Sequence, residues 1–379
     1  VKSAKRGNVP PFFAMEVLKA ANKREAEGKV VYHMEIGQPA TSAPSKVTEA
    51  AEKALRDTSI GYTEALGIPP LRKAIADHYG RMYNIDLDPA RVVVTTGSST
   101  GFMLSFLSLF NAGDRVVLAD PGYPAYRNIL SSLDIEAVGI PTGPETNFQP
   151  SPALIDAVPG PLHGLLVASP SNPTGTMLSP TELSALVDYC RDRDMHFISD
   201  EIYHGLTYSG EAKSALSYTD DVVVINSFSK YFSMTGWRLG WMIVPEALVG
   251  TIERLSQSLF ISAPSLSQYA AIAAFDCTDE LEGYRENYTR NRAILLEELP
   301  KMGLDKLASA DGAFYIYADV SHLTDDSMEF CKRMLAETGV AATPGLDFDP
   351  NRGQAYVRFS FAGSTESVKG AIEALRGWL

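Results

Sequence analysis

Cysteine is scarce in this chain. There are three, Cys190, Cys277 and Cys331, far apart and odd in number. That excludes a disulfide framework and a cysteine-based zinc site. Each falls in a helix-like stretch, where a buried free thiol is the expected state. Histidine is sparse too: six residues, with no HExxH or HxH pair, offer no metal site. Basic residues are outnumbered, 33 Lys and Arg against 46 Asp and Glu, for a formal net charge of −13. A general nucleic-acid or anionic-membrane surface needs the opposite excess. No apolar run reaches membrane-spanning length, and the first residues carry no charged-then-apolar leader. The expected location is the cytoplasm.

What is present is ordinary globular material. The 379 residues are 45% hydrophobic and 21% charged, enough for two domains or one large α/β unit with an appendage. A helix is expected over 13–27, then an extended "VVYHMEIGQPA", then a helix over 45–57 with Val47, Ala50, Ala51, Ala54 and Leu55 at helical spacing. From Leu71 onward, apolar runs alternate with helical patterns. Strands are expected at 91–97, 114–120, 135–140, 164–169, 196–201, 222–229 and 238–244, with helices at 100–110, 122–132 and 180–194. Such alternation predicts an α/β fold with a mostly parallel, seven-stranded-type sheet between helices, which binds ligands at the carboxyl ends of its strands. After about Ser265 the texture changes. Helices at 265–276, 281–300, 325–338 and 364–378, with strands at 313–320 and 356–361, predict a smaller α+β domain. The expected division is 41–268 for the large domain, and 1–40 with 269–379 for the small one.

Four motifs stand at predicted strand ends. "TTGSSTG" (95–101) places small residues, Gly97, Ser98 and Ser99, before a helix, where backbone N–H groups can approach an anion. Its plainer reading is a tight turn, and its likeness to a dehydrogenase TGxxxG fails because no Tyr-x-x-x-Lys follows anywhere. "DPGYPAY" (120–126) offers Tyr123 for stacking on a planar ligand, or for simple loop packing. "SPSNPTGT" (169–176) offers the Asn172 amide, which could equally be a plain Asn-Pro turn. "SDEIYHG" (199–205) ends an apolar run on Asp200, with Tyr203 three residues on. A buried carboxylate needs a partner, and the local sequence supplies only His196.

A fifth stretch, "NSFSKYFSMTGWRLGW" (226–241), holds Lys230 and Arg238 among small hydroxyl residues and aromatics, with no acidic residue. A lysine is usually a surface cation. A desolvated one has a lowered pKa and becomes nucleophilic. One ligand meets all these needs. An aldehyde would take Lys230, a pyridinium nitrogen Asp200, and a ring hydroxyl Asn172 and Tyr203. A phosphate would take the Gly97–Ser99 turn, Ser227 and Arg238. That ligand is pyridoxal 5′-phosphate (PLP).

On "IGQPA", "SNPTG", "DEIY", "SFSKxxxxxxxR" and "VRFSFA", in that order along nearly the whole chain, the sequence resembles the class I/II aminotransferases, fold-type I PLP enzymes. The resemblance implies that Lys230 joins the cofactor covalently and later moves a proton, and that Asp200 keeps the ring nitrogen protonated. It implies that Tyr203 and Asn172 bind the ring oxygen and that Tyr123 stacks on the ring. Gly97, Ser98, Ser99, Ser227 and Arg238 would hold the phosphate. Arg358, with Asn172 and the Gly37 backbone, would clamp the substrate carboxylate. Tyr62 would reach the phosphate of a neighbouring subunit, so a homodimer with shared sites is implied. The implied reaction moves the α-amino group of an amino acid to a 2-oxo acid in a ping-pong cycle.

Where an aspartate-using subgroup carries a lysine in the phosphate turn, this sequence has Ser99, which favours a neutral or aromatic donor over a dicarboxylic one. The alternatives are a β-eliminating C–S lyase on the same fold, a PLP-binding effector domain and a nicotinamide dehydrogenase.

Overall fold

A computed structural model describes residues 2–379. A seven-stranded sheet runs in the order Val92–Thr95, Gly240–Ile243, Val223–Ser227, His196–Asp200, Gly164–Ala168, Arg115–Asp120, Glu136–Pro141. Neighbours pair in parallel, except that Gly240–Ile243 is antiparallel to both of its own. Side chains alternate between two apolar clusters. Val92, Val94, Phe197 and Val224 join one; Val93, Ile198, Val223 and Ile225 join the other. Burial of both faces is why these strands read as unbroken apolar runs.

Helices Pro69–Tyr83 and Pro180–Asp192 cover the first face through Leu71, Ile75, Leu183 and Leu186. Helices Ser98–Leu109, Pro124–Ser132 and Glu246–Leu259 cover the second through Phe102, Phe106, Leu130 and Ile252. Ser179 and Glu182 close a capping box at the start of Pro180–Asp192. The sequence reading has no counterpart for helix Pro69–Tyr83. Two prolines mask it, yet they stand in its first turn, where a missing N–H costs nothing. The expected helix 265–276 is an α-helix only over Ser265–Ala271 and continues as a 3-10 segment, Ile272–Asp276.

A second, antiparallel sheet has the order Thr343–Pro344, Tyr356–Ser360, Tyr315–Asp319. Thr343–Pro344 is a third strand beyond the two expected. Phe314, Ile316, Val357 and Phe359 from this region pack with Leu295 and Leu299 of helix Thr278–Lys301. The N-terminal chain joins this body through Tyr32–His33, parallel to Val340–Ala341. Register sets Arg358 opposite Tyr317 on one side and Thr343 on the other. No helix among the described residues is long and apolar enough to cross a membrane.

Candidate active site

A cavity of about 260 Å³ opens where the parallel strands end, between the two sheets. Lys230 follows strand Val223–Ser227 and faces this cavity. Its Nζ donates to the Gly37 carbonyl at 2.5 Å and lies 5.8 Å from the ring centres of both Tyr203 and Phe314. Burial, then the Arg358 charge, lowers its pKa to about 8, against the opposing pull of Asp200. Gly37 also leaves room for Tyr315: a Cβ there would sit 2.0 Å from the Tyr315 hydroxyl.

Asp200 closes strand His196–Asp200 and is 3% exposed. The Tyr126 hydroxyl donates to its Oδ2, and the Ile202 N–H to Oδ1 at 3.1 Å. Burial nevertheless raises its pKa to about 6. His196, the only partner the local sequence supplied, is at the other end of the strand, with its ring against Phe110 at 5.6 Å. Tyr126 is 74 residues away in sequence, so a local search misses it. The adjacent Glu201 is also buried. Its Oε1 accepts from the Ser199 and Ser214 hydroxyls and the Ala215 N–H, its Oε2 has no partner, and burial raises its pKa to about 8.

An anion cradle lies at the opposite side. Gly97 is the N-cap of helix Ser98–Leu109, at φ +73°, with no side-chain cap on the helix. A Cβ at Gly97 would lie 2.6 Å from the Arg238 Nη2, so the guanidinium rests against bare backbone. Ser98, Ser99, Ser229, Thr235 and Arg238 line the cavity here. Free helix N–H groups, hydroxyls and a guanidinium together suit a phosphate.

On the third side, Arg358 is 3% exposed and sandwiched, its guanidinium 4.4 Å from the Tyr315 ring centre and 4.8 Å from that of Phe348. Nη1 donates to Asn172 Oδ1 at 2.9 Å; Nη2 donates to the Glu35 carbonyl and to Thr343 Oγ1 at 3.1 Å. Nε has no acceptor. A buried, unpaired guanidinium N–H beside a cavity fits an incoming carboxylate. Tyr203 and Tyr315 share a hydroxyl hydrogen bond of 2.7 Å. Tyr123 stands T-shaped to Tyr126, at 5.4 Å and 84°.

Gly37, Ser98, Ser99, Tyr123, Asn172, Asp200, Tyr203, Lys230, Arg238 and Arg358 thus line one cavity. Gly97 lies just behind it, under Arg238. Ser227 does not line it: its hydroxyl donates to the Leu239 carbonyl at 3.2 Å and accepts from the Ser229 N–H at 3.0 Å. Tyr62, 83% exposed, is outside the cavity of its own chain. Sequence reasoning missed Tyr126, Tyr315, Ser229 and Phe348. Tyr126 and Ser229 lie inside the motifs quoted above, but nothing local marks which hydroxyl turns inward. The residues fit PLP: an amine, a buried carboxylate, an aromatic face and an anion cradle surround one space.

The family model described as "Aminotransferase class I and II" matches residues 29–375. The chain is 48% identical over 380 residues to the valine–pyruvate aminotransferase of Mycobacterium tuberculosis, covering 99% of this chain and 98% of that one. It is 33% identical to the (5-formylfuran-3-yl)methyl phosphate transaminase of Methanocaldococcus jannaschii, with 98% of each covered. Among solved structures, an aminotransferase from M. tuberculosis superposes with a TM-score of 0.99 at 48% identity, over 100% of this chain and 99% of that one. Aspartate aminotransferase from Thermus thermophilus with maleate gives 0.94 at 30% identity, over the whole of both chains.

Proposed function

The chain belongs to the class I and II aminotransferases, and we propose on that basis how its own residues carry the reaction. It is a PLP-dependent transaminase whose substrates are an amino acid and a 2-oxo acid. When bound, the cofactor supplies an electron sink for negative charge developing at the substrate Cα. Lys230 would hold the cofactor covalently, and its Nζ, once free, would take the proton from the substrate Cα. A pKa lowered to about 8 leaves part of this amine neutral near neutral pH, as a base requires. Asp200 would keep a proton on the ring nitrogen, and Tyr126 and the Ile202 N–H orient that carboxylate. Asn172 and Tyr203 would bind the ring oxygen, and Tyr123 would cover the ring. Ser98, Ser99, Arg238 and the backbone at Gly97 would hold the phosphate, with Ser229 and Thr235 added at the wall, whereas Ser227 is turned to the Leu239 carbonyl. Arg358 clamps the α-carboxylate, steadied by Asn172.

The observation that carries this reading is that Lys230, Asp200 and Arg358, distant in sequence, face one cavity. The test is a half-reaction screen. Loaded protein is mixed with single amino acids while loss of its visible band and formation of the 2-oxo acid are followed. Valine with pyruvate is the first pair to try, because a 48% identical relative is named for it. Stoichiometric 2-oxo acid is expected, and Lys230→Ala abolishes turnover. Ammonia and pyruvate released without an acceptor would mark elimination instead. A protein that never takes up PLP overturns the reading.

A homodimer is part of the proposal. Tyr62 and Ile60 are exposed on a segment tied to 262–265 by Thr63 N to Ser262 Oγ (3.4 Å) and by Ser265 to the Gly61 carbonyl. Leu259 and Ile261, on the adjoining segment, are exposed too, so apolar side chains gather there. Sedimentation at monomer mass would refute it. The division into 41–268 and 1–40 with 269–379 is proposed likewise. A cytoplasmic location is also proposed, supported by three buried cysteines with free thiols.

A further inference from the structure

Helix Phe13–Ala26 begins without a cap of its own, since Phe12 at the N-cap offers no acceptor. The first N–H groups of a helix need partners. They find Asp347, whose Oδ1 accepts from the Phe13 N–H at 3.0 Å and Oδ2 from the Ala14 N–H at 3.1 Å. Asp347 is 5% exposed and lies on the cavity wall. Its loop is held separately: Arg127 donates to the carbonyls of Asp347 (3.0 Å) and Phe348 (2.8 Å). One carboxylate therefore ties the N-terminal helix to the loop beside Arg358. The tie brings Phe12, Ala14 and Met15 to the cavity, with the Phe12 ring 6.1 Å from that of Tyr123.

We propose that Asp347 is a positioning and specificity-determining residue. It latches Phe12–Met15 as an apolar wall of the substrate side-chain subsite, and its charge turns away a second carboxylate, so that the subsite takes amino acids with an uncharged, apolar side chain. The inference rests on Arg358 as the binder of the α-carboxylate. The cations lining the cavity are Lys230, Arg238 and Arg358. The first two are committed to the cofactor and the third to the α-carboxylate. A distal carboxylate would be left near Asp347 with no cation of its own. Like charge placed against the wrong ligand is an effective source of selectivity.

The test uses loaded wild type, Asp347→Asn, Asp347→Ala and Met15→Ala. Calorimetry gives dissociation constants for two unreactive acids, 3-methylbutanoate and glutarate, while kcat and KM are measured for valine and glutamate. Amide exchange is followed at Phe13 and Ala14. Both Asp347 variants keep the visible band of bound cofactor. Their Phe13 and Ala14 amides exchange faster, and the preference for 3-methylbutanoate over glutarate falls by about tenfold or more, equivalent to about 1.4 kcal/mol. Valine turns over with raised KM and little change in kcat. Met15→Ala, at a half-exposed position that tolerates change, weakens 3-methylbutanoate alone. A preference unchanged in every folded variant, with wild type turning over amino acids, overturns this inference only. Wild type that binds neither acid and transfers no amino group overturns the reading of the site, and the Asp347 role with it.

Discussion

Arg358→Lys tests the carboxylate clamp most sharply, because it keeps the charge and removes the planar fork. In the structure the fork is fully organised before substrate arrives. Two rings hold its plane, Nη1 and Nη2 are committed to Asn172, Glu35 and Thr343, and Nε waits without a partner. A lysine ammonium can reach a carboxylate as a point charge but has no rigid plane to be held between the rings with an N–H aimed at the ligand. Losing one charge-assisted hydrogen bond of about 1.5–3 kcal/mol weakens binding roughly 10- to 150-fold. The Asn172, Glu35 and Thr343 oxygens also lose donors, which costs about 1–3 kcal/mol of folding stability.

The assay separates these effects. Dissociation constants for an unreactive monocarboxylate, and KM for the amino donor, should rise within that range. The visible band of bound cofactor should persist, because Arg358 is assigned to the substrate side. Thermal unfolding reports the stability cost. Binding within twofold of wild type refutes the clamp. Loss of the cofactor with substrate affinity preserved would place Arg358 in the cofactor's own site instead.

Three further outcomes follow from the buried ionisable groups. Cofactor-free protein should capture PLP faster as pH rises, levelling above about 8, because Lys230 is neutral above its lowered pKa. A stopped-flow midpoint near the ordinary 10.5 would contradict burial as the cause. Tyr126→Phe removes the hydroxyl that favours ionised Asp200, so the Asp200 pKa rises further, and PLP affinity falls roughly 10- to 150-fold for a bond of about 1.5–3 kcal/mol. An unchanged dissociation constant sinks that role. Glu201 has a raised pKa, so the folded state holds its proton longer than the unfolded chain does. Its contribution to stability is therefore present below pH 4.5 and declines as pH rises towards about 8. Glu201→Gln removes the decline, so its melting temperature relative to wild type should climb between pH 5 and 8, and a flat difference counts against the assignment.

The layered architecture was legible because a strand buried on both faces leaves an unbroken apolar run, and the sequence prints seven of them. Several site residues were legible for a related reason. Polar or charged groups at the ends of such runs, Asp200 and Lys230 above all, must be explained by something outside the run. Helix Pro69–Tyr83 was not legible. Prolines read as breakers unless the first turn is known in advance, and that turn becomes visible only once Ile68 is placed as the N-cap.

Partnership was harder to read than position. Asp200 was expected to need a cation, and nearby sequence offered His196, which stands at the opposite end of the same five-residue strand. The group that meets it is a neutral phenol from the helix after a different strand. Such pairings depend on which strand ends lie side by side, and hydrophobic periodicity carries no information about that order. The same holds for Asp347: in sequence it is an acid in an irregular loop, and only the fold shows two backbone N–H groups, from more than 330 residues away, converging on it. Lys230 and Arg238 differ. Among the described residues no carboxylate bonds either one; Lys230 turns to a carbonyl, and Arg238 donates to the Thr235 carbonyl. A cation left without an acid both locally and after folding is the kind of group that a ligand must complete. That is why the sequence alone marked these two as candidates for a ligand, whereas the protein partners of Asp200 and Asp347 became visible only in the fold.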